Sequence, residues 1–162
     1  GRFDVVIMDM TDPFGPSKML YTREFFRAIK RSFRNRRGTF VMHSESPIVR
    51  PLAYATILRT LSSVFEHVNP LYTYIQMYAV LWSMSVSSDT VNIAAKSAAA
   101  IDKRLRGRGV RGLRLYNGPT HRAMLVSYPY IDRIRRRRVA AVTDRKPDFP
   151  DDFHDSSRRP GA

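Results

Sequence analysis

Asp9 and Asp12 stand three residues apart, directly after the apolar run Val5-Val6-Ile7-Met8, in the segment Asp9-Met10-Thr11-Asp12-Pro13-Phe14-Gly15-Pro16. The carboxyl end of a buried strand, where it opens into a loop, is where open α/β sheets carry out their chemistry. Two carboxylates at that place can hold a cationic amine and take a proton from it. Pro13, Gly15 and Pro16 stiffen the turn that presents them. The same spacing also fits an Asp-Pro turn that merely ends a strand.

The elements that must position these acids can be read from periodicity. Arg2 to Asp9 reads as a central strand, because a near-continuous apolar run without alternation fits burial on both faces. Thr22 is an N-cap candidate with Glu24 in the first turn, and Phe25, Phe26, Ile29 and Phe33 follow at helical spacing until Gly38. Thr39 to His43 is a short strand, and Pro51 opens an amphipathic helix carrying Leu52, Ala55, Ile57, Leu58, Leu61 and Phe65. Val68 to Ile75 and Tyr78 to Ser87 are rich in β-branched and aromatic residues and read as two strands, with a hairpin between them left open. Helical periodicity returns from Ala94 to Leu105. A short extended piece at Leu113 to Tyr116, a turn at Asn117-Gly118-Pro119 and a helix around Tyr130 to Arg137 complete the expected domain, residues 1–142. Residues 143–162 have few apolar anchors and read as an irregular, mobile tail.

The stretch Phe3 to Phe25, FDVVIMDMTDPFGPSKMLYTREF, resembles the polyamine aminopropyltransferases, the spermidine synthase family. The hallmark of that family is Asp-x-x-Asp-Pro-x-Gly-Pro followed by a Leu-Tyr/Phe-Thr-x-Glu-Phe helix start. The likeness continues through Ser44-Glu45-Ser46-Pro47, through Tyr74-Ile75-Gln76-Met77-Tyr78-Ala79-Val80-Leu81-Trp82, and through Leu115-Tyr116-Asn117 with His121-Arg122-Ala123. The resemblance implies an α/β fold, the C-terminal part of a methyltransferase-like Rossmann sheet. On this reading the chain is a fragment without the first half of that sheet, and its first strand exposes an apolar edge unless another segment covers it.

The same resemblance implies transfer of an aminopropyl group from decarboxylated S-adenosylmethionine to a diamine such as putrescine, giving spermidine and methylthioadenosine. No cofactor beyond that cosubstrate and no metal are expected. By position in the motif, Asp9 is the expected proton acceptor and Asp12 the carboxylate that fixes the diamine. Tyr78 is the phenol expected to hydrogen-bond the amine, with Trp82 packing below it. Pro16 falls where the family contacts the adenine or the methylthioadenosine product. Glu45 and His43 are further substrate-binding candidates, His43 standing where many relatives have glutamine, although a structural role for this histidine is also open. His121 and Arg122 read as packing for the last helix. Gln76 and Ala79 depart from the proline and glycine of many relatives, and a backbone requiring φ > 0 would strain an alanine there.

At 162 residues with 43% hydrophobic content, the chain can form one domain with a real core. With no cysteine, disulfides and thiolate metal sites are excluded, and His43, His67, His121 and His154 show no metal-ligand spacing. Neither an apolar run of about 18 residues nor a signal segment is seen, so a cytoplasmic protein is expected. The formal charge of +14 raises polyanion binding as a different reading. The excess lies in two clusters, Lys103, Arg104, Arg106, Arg108, Arg111 and Arg114, and Arg133 with Arg135 to Arg138. Aromatic residues are not interleaved with them as a base-stacking platform needs, so a solvated helix face and a basic tail are expected rather than a nucleic-acid partner. The expected partners are the diamine, the nucleoside cosubstrate and, in a full-length parent, further copies of the protein. A noncatalytic Rossmann-like module and an S-adenosylmethionine-dependent methyltransferase remain the alternatives.

Overall fold

Helices in this chain begin where a side chain satisfies free amides or where a proline takes the first turn, and strands form where β-branched and aromatic residues cluster. A computed structural model describes residues 1–150. They run β1 (Val5–Met8), α1 (Arg23–Ser32), β2 (Thr39–His43), α2 (Pro51–Ser62), β3 (His67–Ile75), β4 (Val80–Ser88), α3 (Ala98–Gly107), α4 (Gly118–Met124) and α5 (Pro129–Arg135). Thr22 caps α1 as expected, its hydroxyl accepting from the Phe25 amide at 3.2 Å. Helix α1 stops at Ser32, short of Gly38, because the Ser32 carbonyl accepts from the amides of Arg2 and Phe3 and a bridge joins Phe3 to Phe33. Ser97 caps α3 four residues later than the periodicity suggests. Asn117 starts α4 rather than a turn, since its side chain and that of Thr120 bond each other's amides at 2.8 Å, and 113–116 join no strand.

The four strands form one sheet in the order β1-β2-β4-β3. β1 and β2 are parallel, with α1 as the crossover, whereas β4 is antiparallel to both β2 and β3. Pairing of β3 with β4 runs unbroken from His67–Ser88 to Ile75–Val80, so the two are a hairpin. Its turn is the 3-10 segment Gln76–Tyr78 followed by Ala79 at φ 49°, so alanine does occupy the left-handed backbone that its sequence position warned of.

The position of β1 corrects the central-strand reading. It pairs only with β2 among the described residues, and Val5 and Ile7 are exposed, at 54% and 72%. The exposed apolar edge anticipated for this strand is what the described residues present. The core lies on one face of the sheet, with β1 contributing Met8 to it. Met8, Tyr21, Phe26, Phe33, Phe40, Met42, Ile57, Leu61 and Phe65 form the main cluster, and Tyr54, Leu58, Tyr72 and Ile131 a second. Helix α2 belongs to both clusters and is almost wholly buried. It anchors the loop that precedes it.

Residues 143–150, assigned from sequence to a loose tail, are held at several points. The Asp144 amide donates to Glu24, Lys18 pairs with Asp148 at 2.7 Å, and Phe149 meets Tyr21 edge-on with ring centroids 5.8 Å apart. The remainder of that tail, 151–162, lies outside the described residues. Because Phe149 packs against the main cluster while only partly buried, Phe149→Ala should lower the unfolding free energy by about 1–2 kcal/mol. Urea denaturation checks this, and an unchanged midpoint would show that the contact carries no stability.

Candidate active site

The loops that leave the carboxyl ends of β1 and β2 meet the start of the β3–β4 turn around one cavity of about 590 Å³. Asp9, Met10 and Asp12 come from the first loop, Glu45, Ser46, Val49 and Arg50 from the second, and Ile75, Tyr78, Val80, Trp82 and Met84 from the hairpin, with His43 at the end of β2. The register explains the hairpin's contribution. His43 pairs with Met84, so His43, Met84, Trp82 and Val80 share the face opposite Ser83, Ser85 and Ser87. They give the cavity an apolar floor.

Glu45 is fixed by its surroundings. Pairing of the strands continues past His43, with the Ser44 amide donating to the Ser83 carbonyl at 2.8 Å and the Ser83 amide donating to the Glu45 carbonyl at 3.1 Å. Three buried hydroxyls reinforce it: Ser85 Oγ donates to Ser44 Oγ at 2.7 Å, Ser44 and Ser83 Oγ are 2.8 Å apart, and Ser83 Oγ donates to the Glu45 carbonyl at 2.8 Å. Glu45 itself has φ 69°, a backbone that non-glycine residues rarely adopt, and it is 1% exposed.

His43 is buried between aromatic rings. It stacks on Trp82 with centroids 6.0 Å apart and meets Tyr21 edge-on, and Trp82 in turn lies 5.3 Å from the ring of the exposed Tyr78. Tyr21 Oη donates to the Thr11 carbonyl at 2.8 Å and lies 2.9 Å from His43 Nε2. Burial lowers the His43 pKa from its usual 6.5, although the negative charges of Asp12 and Asp9 oppose the shift. Burial, with Glu45 and Asp12 adding to it, pushes the Tyr21 phenol well above its ordinary range, so it stays protonated.

Five of the six residues expected from sequence, Asp9, Asp12, His43, Glu45 and Tyr78, line this one cavity. Pro16 does not: it is exposed in the first turn of the 3-10 segment Gly15–Tyr21, after Gly15 at φ 57°. Sequence reasoning missed Arg50, whose guanidinium is 3.4 Å from Asp12, 4.0 Å from Glu45 and stacked over Phe14 at 4.5 Å. Its signal was its place, immediately before Pro51 in the loop after a sheet strand. The two arginine clusters are exposed, and none of their residues lines the cavity. Among the described residues no group of three or more His, Cys, Asp or Glu could hold a metal, and no helix is long and apolar enough to cross a membrane.

Comparison with known proteins shows the family of the chain. Residues 1–97 match the spermine/spermidine synthase domain. The chain is 40% identical over 143 residues to the polyamine aminopropyltransferase of Nitrosomonas europaea, covering 88% of this chain and 44% of that protein. It is 38% identical over 149 residues to polyamine aminopropyltransferase 2 of Hyperthermus butylicus, covering 90% of this chain and 48% of that one. The chain thus spans under half the length of these relatives. Its fold is that of a spermidine synthase crystallised with the transition-state analogue AdoDATO (TM-score 0.71, 24% identity, 83% of this chain and 45% of the other) and of the spermidine synthase from Thermotoga maritima (TM-score 0.69, 23% identity, 83% and 44%).

Because burial holds His43 neutral in the folded chain, its contribution to stability is complete above the unfolded value of 6.5 and is lost as pH falls toward the lower folded value. The stability of the wild type should therefore drop relative to that of His43→Gln between about pH 7 and pH 5. Parallel urea titrations across that range check it. A difference that does not vary with pH would unlink this imidazole from folding.

Proposed function

Since the chain belongs to the spermine/spermidine synthase family, we propose that the protein containing it transfers an aminopropyl group from decarboxylated S-adenosylmethionine to a diamine such as putrescine. The observation that supports this reading is the meeting of Asp9, Asp12, Glu45, His43 and Tyr78 around one cavity with an apolar floor. Methylenes of a diamine suit Trp82, Val80 and Met84, and its charged ends suit the acids.

In this reaction the sulfonium already makes the transferred carbon electrophilic, so no group on the protein need activate it. Amines are protonated at neutral pH, with reference pKa values near ~10, and only the free lone pair can attack. Asp9 takes the proton from the reacting ammonium. The amine nitrogen then bonds to the carbon while the carbon–sulfur bond breaks, its electron pair going to sulfur and giving the neutral thioether methylthioadenosine. Asp12 and Glu45 hold the other end of the diamine by charge-assisted hydrogen bonds. Tyr78 and His43 orient the amine. Pro16, outside the cavity, is assigned to the nucleoside product on the family likeness alone, and self-association of the full-length protein has the same basis. No metal or further cofactor enters the scheme.

In the full-length protein, Asp9→Asn should lower kcat by roughly 10²–10⁴ with a smaller change in the amine KM, as expected when a general base is lost. Asp12→Asn should instead mainly raise the amine KM. Steady-state kinetics with putrescine, alongside melting temperatures, check both. Near-native kcat and KM in both folded variants would remove these acids from the mechanism and leave them as strand-end turn residues.

A further inference from the structure

Arg50 is the one lysine or arginine lining the cavity among the described residues. Its side chain is 17% exposed and lies against two of the acids that an amine would seek, Asp12 and Glu45, while its plane rests on Phe14. The backbone leaves it little freedom, since its amide donates to the Ser46 carbonyl at 3.0 Å and its carbonyl accepts from the Tyr54 amide at 2.9 Å in the first turn of α2. A guanidinium stays charged at any physiological pH, and its flat face suits stacking on a ring. The acid wall therefore has a resident cation.

We propose that Arg50 determines which amines the cavity accepts, by neutralising part of the acid wall so that dicationic amines are taken in preference to tricationic ones. The inference rests on the reading of this cavity as the amine site. An additional ammonium brought into the cavity meets the guanidinium as a like charge and finds Asp12 already engaged. Without Arg50 the wall is one unit more negative. Every cationic amine then binds more tightly, but a trication gains from one more charge than a dication, so the preference between them moves.

Isothermal titration calorimetry of the full-length protein at low salt with putrescine and with spermidine gives the two affinities directly, without turnover. Arg50→Met should raise the spermidine-to-putrescine affinity ratio about tenfold, the order expected for one unit charge at this range in a partly screened site. Arg50→Lys, which keeps the charge and loses the planar fork, should leave the ratio near that of the wild type. If circular dichroism shows Arg50→Met to be unfolded, Arg50→Gln makes the same comparison. An unchanged ratio in a folded neutral variant overturns the role given to Arg50 and leaves the amine site standing. Absence of any response to either amine in the wild type removes the amine site, and the role of Arg50 with it.

Discussion

The site depends on the antiparallel pairing of β2 with β4 continuing beyond the end of β2. Ser44 and Glu45 keep bonding to Ser83 after His43, and the hydroxyls of Ser44, Ser83 and Ser85 tie the two chains together where no water reaches. This holds Glu45 in a left-handed backbone, a conformation that costs a non-glycine residue about 1–2 kcal/mol. Three side-chain hydrogen bonds at about 1 kcal/mol each are enough to offset it. Serine is the residue that fits, because each position must be small and still supply a donor and an acceptor. From Glu45 the chain turns at once into 46–50 and α2, so the same lock sets the direction of Arg50.

A second constraint is electrostatic. The chain carries a formal charge of +14, which at long range repels a cationic ligand. Screening confines each exposed charge to about 8 Å at physiological ionic strength, and the arginines of α3, α5 and the segments that follow them are exposed and do not line the cavity. Inside it, Asp9, Asp12 and Glu45 face one guanidinium. Their field helps to keep the Tyr21 phenol protonated, and it works against the burial that makes His43 neutral. Fixed hydrogen-bonding groups that carry no charge thus stand beside charged acids, the combination that the proposed amine site needs to orient a ligand with one set and hold its charge with the other.

Much of this arrangement is visible in the sequence because it is local. The acids follow directly on β1, Thr22 bonds a residue three places away, and the hairpin strands announce themselves by composition. What escaped depends on contacts distant in sequence. Helix α1 ends where Phe3 pairs with Phe33, and Phe149 is held by Tyr21, 128 positions earlier in the chain by their numbers. A partly buried phenylalanine among Pro and Asp reads as tail until its partner is known. The edge position of β1 was hidden for another reason: an apolar run reports what the residues can bury, not what covers them. Arg50 was hidden by its type, since a lone arginine before a proline reads as a solvated helix end. Only the fold turns it toward Asp12.

These contacts divide the cavity into a rigid side and an adaptable one. Glu45, His43 and Trp82 sit on paired strands, with buried hydroxyls and stacked rings around them. Tyr78 belongs to a hairpin turn, is 59% exposed and rests on Trp82, while Asp9 is exposed on a loop. Catalysis by positioning requires reacting groups to be held to a fraction of an ångström when the transition state forms, not before. The groups on the rigid side are those suited to fix one end of a diamine, while those on the adaptable side are the proposed proton acceptor and a phenol. A ligand that bridges the two can use contact with the first to draw in the second.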